Sequence, residues 1–331
     1  MTYILTLIYT LLLTPRVIEA FAITSSSTTT AAPFQRTRLS NLQSSASTDW
    51  DVSGIPYKEG TVQVSRGNES FNLSYKLFRP MNLSSRQAAP LVVLHGGPSV
   101  PSDYLLPLAK VVPYRSILFY DQLGCGASDE PKDASLYSIE AAVDDLEAVL
   151  QKLSIRRYHL YGQSFGGILA FEFLKRQAMS KDAHDGDEGC LSLVLSSSPT
   201  NVRLVENEAQ RLIEALESPE LFRETHQCRT ETMPQPLQDA YAKAGTVWRG
   251  TTAISDYVAS PPPLDGAATM PSALVLRGEH DFVTEITARW KDLLNSRSVR
   301  ERVLDSCSHH GLLESPPMYG EIIESFVSEY D

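Results

Sequence analysis

Gly162-Gln163-Ser164-Phe165-Gly166 fits the pattern G-x-S-x-G. It follows the apolar run Tyr158 to Tyr161 and precedes Ile168, Leu169, Phe171, Phe173 and Leu174, which are spaced as on a helix. Strand, tight turn and helix together hold a serine hydroxyl above a sheet edge, with a helix N-terminus behind it. A serine hydroxyl is a poor nucleophile until a base takes its proton, and the base needs an acid to orient it. Asp281 follows the apolar run Ala273 to Leu276, in Arg277-Gly278-Glu279-His280-Asp281. His309 follows Val299 to Leu304, in Asp305-Ser306-Cys307-Ser308-His309-His310-Gly311. The order Ser164, Asp281, His309, each at a strand's carboxyl end, is that of a nucleophilic triad on an open parallel sheet.

Each residue also has a plain structural reading. Asp281 alone reads as a loop acid or helix cap, and His309 as a hydrogen-bonded surface histidine. Glu279 is a rival acid and His310 a rival base. His310 is one residue on, so its side chain is expected to point elsewhere. The tetrahedral oxyanion needs two backbone donors. These are expected from the N–H of Phe165, next after the nucleophile, and from Gly97 in His95-Gly96-Gly97-Pro98-Ser99. His95 and Asp121, also at strand ends, read as supports for these loops.

The elements that must position these groups can be read in order. Thr61–Ser65 and Ser70–Phe78 alternate as an antiparallel pair about the turn Arg66-Gly67-Asn68-Glu69. Pro90–Leu94, Ser116–Tyr120 and Ser192–Ser196 are continuous apolar runs, as in strands buried on both faces. Asp103 to Val111 reads as a short helix and Ile139 to Leu153 as a longer one, with Ser138 as its N-cap. Thr284 to Leu294 and Glu314 to Tyr330 read as helices. Alternating strands and helices give an α/β class with a doubly wound, mainly parallel sheet. From Thr200 to Met270, helix Leu204–Leu216 and many prolines replace this pattern, as in a helical cap. The division is therefore a core of residues 51–199 and 271–331 with a cap of 200–270.

Size and composition set bounds. The chain has 331 residues, 42% of them hydrophobic and 21% charged, and a net charge of -11. The acidic balance argues against non-specific nucleic-acid binding. Cys125, Cys190, Cys228 and Cys307 are scattered, with neither zinc spacing nor a disulfide framework. No G-x-x-x-x-G-K-[ST] loop occurs, so neither a cofactor nor a metal is expected. Tyr3 to Leu13 is apolar but short for a membrane span. Residues 1–22 read as a signal peptide. Residues 23–48 are rich in Ser and Thr, hold Arg36 and Arg38 and lack acids, as in a transit peptide. This bipartite leader implies a plastid, with secretion as the alternative, and no stable membrane span once it is removed. Asn68, Asn72 and Asn82 begin Asn-x-Ser sequons.

Taken together, the motifs resemble the α/β-hydrolase superfamily and, within it, the proline iminopeptidase and tricorn-interacting-factor-like aminopeptidase group. The resemblance rests on HGGP at 95–98, DQLGCGAS at 121–128, GQSFGG at 162–167, RGEHD ending at Asp281 and SCSH ending at His309. It covers roughly Val62 to Phe326 and implies the α/β-hydrolase fold with a helical cap. It also implies a serine hydrolase that cleaves an N-terminal residue, often proline, from a small peptide, amide or ester, and whose cap carboxylates hold the free amine. Glu206, Glu208, Glu224 and Glu231 are available for that task. Glu206, Glu224 and Trp248 are taken as substrate-binding positions. Around Val247-Trp248-Arg249-Gly250, where a family acid is expected, none occurs until Asp256. An esterase or lipase-like hydrolase of an uncharged substrate, and a ligand-binding protein on the same fold, stay open as alternatives.

Overall fold

The structure, a computed structural model, describes residues 50–81, 88–179, 188–262, 270–294, 296 and 298–331. The leader and the Asn82 sequon lie outside the described residues. Asn68 and Asn72 are exposed, and the Asn72 amide binds Asp129.

Strands β1 (Tyr57–Arg66), β2 (Glu69–Phe78), β3 (Leu91–Leu94), β4 (Ile117–Tyr120), β5 (Arg157–Gln163), β6 (Gly189–Ser196), β7 (Ser272–Gly278) and β8 (Val299–Leu304) form one sheet. Its order is β1-β2-β4-β3-β5-β6-β7-β8. β1 pairs antiparallel with β2, and β2 with β4; all other pairings are parallel. Alternate side chains of a strand point to opposite faces. In β3, Val92 and Leu94 accordingly join one core cluster, while Leu91 and Val93 join the other. β4 divides in the same way, Leu118 and Tyr120 against Ile117 and Phe119.

Helices follow in chain order: α1 (Leu108–Val111), α2 (Ile139–Lys152), α3 (Phe165–Met179), α4 (Val202–Glu214), α5 (Gln235–Ala242), α6 (Trp290–Leu293), α7 (Gly311–Glu314) and α8 (Pro316–Val327). One face of the sheet is covered by α2 and α3, through Val143, Leu146, Ile168 and Leu169. The other is covered by α1 and α8, through Leu108, Ile323 and Phe326. Ser138 caps α2, its Oγ accepting from the Ala141 N–H at 3.0 Å.

Three expected helices come out differently. Asp103 to Val111 is split into a 3-10 turn over Ser102–Leu105 and α1, parted by Pro107. Thr284 to Leu294 is helical only in α6. There the Thr287 carbonyl is taken by the Thr200 N–H at 2.7 Å and hydroxyl at 2.9 Å, so it cannot serve a continuing helix. Glu314 to Tyr330 breaks at Ser315, which precedes Pro316 and takes φ -145°, ψ 65°. Between β6 and β7 lie α4, a 3-10 turn at Pro219–Leu221, a π turn at Arg223–Gln227, α5 and a second 3-10 turn at Thr251–Ile254. Among the described residues no helix is long and apolar enough to cross a membrane.

A buried polar anchor joins the core to the last residues. Arg115 donates to both Glu324 oxygens, at 3.2 and 2.7 Å, and to Asp331 Oδ2 at 3.0 Å. His159 meets Asp331 Oδ1 at 3.1 Å. Burial lowers the His159 pKa from 6.5 to about 4, although the Asp331 contact opposes the shift. Burial alone would raise Asp331, but its bonds to Arg115, His159 and the Ala89 N–H outweigh that and lower it to about 2. Below pH 6.5 the unfolded chain therefore takes up a proton that folded His159 refuses, and stability falls until about pH 4. Melting curves of wild type and His159→Asn check this. The variant is expected to lose that part of the pH dependence, and an unchanged slope would contradict the assignment.

Candidate active site

Ser164 stands between β5 and α3 with φ 53°, in the left-handed region that costs any non-glycine residue energy. Two bonds hold the turn: the Ser164 N–H donates to the Ser196 carbonyl at 2.9 Å, and the Gly167 N–H to the Ser164 carbonyl at 3.0 Å. The flanking glycines are needed for close approach. A Cβ on Gly162 would collide with the Gly166 carbonyl, and one on Gly166 with the carbonyl of Leu94 at the end of β3. The sequence motif is therefore a packing requirement that brings α3 hard against the strands.

Asp281 follows β7 and His309 follows β8. His309 Nδ1 and Asp281 Oδ1 are 2.9 Å apart, with both side chains buried. The same carboxylate oxygen accepts the Val283 N–H at 2.8 Å. A carboxylate that accepts from Nδ1–H leaves the imidazole Nε2 as the free acceptor. Phe282 stacks on the His309 ring, with centroids 4.2 Å apart. Glu279, the rival acid, instead accepts the Ser306 N–H and is half-exposed. Ser164 and His309 line one cavity of about 140 Å³. Among the described residues no hydrogen bond links Ser164 Oγ to the His309 ring. Such bonds are commonly long before substrate arrives.

Gly97 lines the cavity at φ 121°, and a Cβ there would sit 2.5 Å from the Ser99 nitrogen. Phe165, as the first residue of α3, has no acceptor for its N–H inside the helix. Gly97 and Phe165 thus both line the cavity that Ser164 lines. His95 is fully buried; its Nε2 accepts the Gln122 N–H at 2.9 Å and its Nδ1 meets the Gly96 carbonyl at 3.0 Å. Burial lowers its pKa, against the opposing effect of Asp121. Asp121 accepts the Ser102 N–H and hydroxyl and the Ala127 N–H. Both therefore tie loops together, as the sequence reading expects.

A further network was invisible in the sequence. The Gly96 N–H donates to Tyr104 Oη at 2.8 Å, which donates to Gln163 Oε1 at 2.6 Å. Gln163 Nε2 in turn donates to the His309 carbonyl at 3.3 Å. It links the Gly97 loop, the Ser164 turn and the His309 loop. The sequence shows only that an amide, Gln163, precedes Ser164, which gives no hint of its partners. The π turn, in the segment between β6 and β7, holds the Asp281 and His309 loops. His226 Nδ1 meets the His280 carbonyl at 2.8 Å, and the Gln227 carbonyl accepts the His310 N–H at 3.1 Å.

The structure separates the substrate-binding candidates. Val202, Val205, Glu206 and Ala209 of α4 line the cavity with the spacing of one helix face. Glu206 is the sole carboxylate lining the cavity among the described residues. Glu224 is not brought there: it is half-exposed and pairs with Arg223 at 3.4 Å. Trp248 is also not part of the lining. It packs edge-on against Phe165, with centroids 5.3 Å apart, and so buttresses the turn from behind. Glu208 is paired with Arg211, Glu231 is exposed, and Asp256 pairs with Arg203 on the surface. His310 departs from expectation in the opposite sense, since it lines the same cavity as His309. No group of three His, Cys, Asp or Glu side chains placed to hold a metal ion occurs among the described residues.

Known proteins resemble this chain in sequence and fold. A model of the alpha/beta hydrolase family matches residues 91–319. A proline iminopeptidase of Saccharolobus solfataricus is 30% identical over 317 residues, covering 83% of this chain and 96% of the relative. One from Thermoplasma volcanium is 28% identical over 309 residues, covering 82% of this chain and 97% of the relative. The crystal structure of a proline iminopeptidase from Mycobacterium smegmatis superimposes with a TM-score of 0.69 at 26% identity, covering 82% of this chain and 98% of that one. The sheet order, the glycine-locked serine turn and these matches agree: the chain belongs to the α/β hydrolase family, as a proline-iminopeptidase-like member.

Proposed function

We propose that this protein is a serine hydrolase that releases the N-terminal residue of a small peptide or amino-acid amide through an acyl-enzyme. The observation that carries the reading is the 2.9 Å His309–Asp281 pair opening onto the cavity that Ser164 and Glu206 share. In the first step His309 Nε2 takes the Ser164 proton as Oγ attacks the scissile carbonyl. The N–H groups of Gly97 and Phe165 hold the oxyanion. Asp281 keeps the proton on Nδ1 and stabilises the imidazolium. His309 then gives its proton to the leaving amine, leaving an ester on Ser164. A water activated by the same imidazole cleaves that ester and frees the amino acid. Similarity to the proline iminopeptidases supports the substrate class, and Glu206 supplies the anion an ammonium needs.

Glu206 is the test. An acid on the cavity face of an amphipathic helix occupies a position where the pattern wants an apolar residue. Glu206→Gln is expected to raise KM for a free-amine p-nitroanilide about 30-fold, as when one partner of a buried charge pair is lost. Steady-state kinetics on alanine and proline p-nitroanilides measure this. A KM within twofold of wild type would remove Glu206 from amine recognition. A second reading, an esterase of an uncharged substrate, draws support from the apolar lining of Val202, Val205, Ile254, Phe222 and Phe282. It also draws on the lack of any acid between Trp248 and Asp256.

A further inference from the structure

His310 has a place in the cavity that the triad does not use. It is 7% exposed and lines the cavity, yet neither ring nitrogen has a hydrogen-bond partner among the described residues. Its ring is fixed by edge contacts to Tyr104, at 5.2 Å between centroids, and to His309, at 5.3 Å. Its backbone is fixed too: the N–H donates to the Gln227 carbonyl and the carbonyl accepts the Leu313 N–H at 2.8 Å. No carboxylate orients the imidazole, so it lacks what a second general base needs. Burial, and then His309, push its pKa well below the ordinary value, so the ring is neutral near neutral pH. A neutral imidazole carries one lone pair and one N–H. Nearby, the Gln227 amide donates to Tyr241 Oη at 2.7 Å while its buried Oε1 is left without a partner.

A buried ammonium needs more than one acceptor. A primary α-ammonium has three N–H groups and a prolyl nitrogen two. Glu206 is the sole lining carboxylate among the described residues, and the stretch after Trp248 supplies no other. We propose that His310 is a specificity-determining residue, its imidazole lone pair accepting from the substrate's N-terminal ammonium as the second partner beside Glu206. An uncharged acceptor next to His309 takes an N–H without adding the positive charge that would repel the ammonium. Gln227 lines the same cavity. The inference rests on the aminopeptidase reading and deepens it.

The experiment compares kcat and KM for alanine p-nitroanilide and for p-nitrophenyl butyrate in wild type, His310→Leu and His310→Gln. Loss of a hydrogen bond to a charged group lowers affinity about tenfold or more. His310→Leu should therefore lower the anilide-to-ester ratio of kcat/KM at least tenfold, with the loss in KM. His310→Gln, whose amide carbonyl accepts a hydrogen bond, should restore most of it. Circular dichroism melts establish that each variant is folded. A parallel fall on both substrates, or no rescue by glutamine, overturns the proposal and leaves His310 a packing residue. A wild type that turns over the ester but not the anilide overturns the aminopeptidase reading itself, and with it this role. An unchanged ratio in an enzyme active on the anilide overturns only the role of His310.

Discussion

Ser164→Ala is expected to lower kcat by about 10⁵- to 10⁶-fold and to abolish labelling by a fluorophosphonate probe. The size follows from what the substitution removes. In the proposed mechanism Ser164 Oγ forms the acyl-enzyme, and no other hydroxyl stands on the glycine-locked turn. The remaining activity is what the oxyanion donors and substrate binding supply alone. The variant should fold, because alanine bears the left-handed backbone at φ 53° about as well as serine does, and the Ser196 and Gly167 backbone bonds persist. Active-site titration and labelling of folded protein measure the effect. A kcat within tenfold of wild type would move the nucleophile elsewhere.

Asp281→Ala should cost about 10⁴-fold in kcat, because the imidazole loses both its orientation and the charge that stabilises its protonated form. Asp281→Asn is expected to be milder, about 10²- to 10³-fold, for a reason specific to this loop. Asp281 Oδ1 accepts both His309 Nδ1–H and the Val283 N–H. The Val283 N–H therefore holds the oxygen of an asparagine amide in that position, and the productive His309 tautomer survives. Only the charge is lost, while the amide nitrogen lands where Oδ2, already without a partner, is buried. Comparing kcat for the two variants measures this. Equal losses would mean that the amide turns over and the tautomer is lost.

The sequence carries the parts of this account that local rules decide. Four-residue strands such as Leu91–Leu94 are legible because burial on both faces makes them uniformly apolar. The serine turn is legible because only glycine fits at 162 and 166. Asp281 and His309 follow from strand ends and chain order. What was not legible depends on partners distant in sequence. The Thr200–Thr287 bonds end a helix that periodicity extends, and the Tyr104–Gln163–His309 network joins residues from three loops. Glu206 and Glu224 look alike as cap acids until α4 turns one inward with Val202, Val205 and Ala209 while Arg223 holds the other at the surface. That distinction was partly available, since Glu206 breaks an apolar helical stripe and Glu224 does not. His310 shows the limit of a neighbour argument, because two adjacent residues of an irregular loop can face one cavity.

The most direct test of the central claim is wild-type hydrolysis of proline and alanine p-nitroanilides, each with a free and an acetylated N-terminus, beside a short p-nitrophenyl ester. Turnover of the free-amine anilides, with the acetylated forms slower by two orders of magnitude or more, is the result expected of a serine aminopeptidase whose cavity holds an ammonium against Glu206. Equal turnover of free and acetylated anilides, or turnover of the ester alone, would contradict it and make the protein an esterase built on the same Ser164, His309 and Asp281.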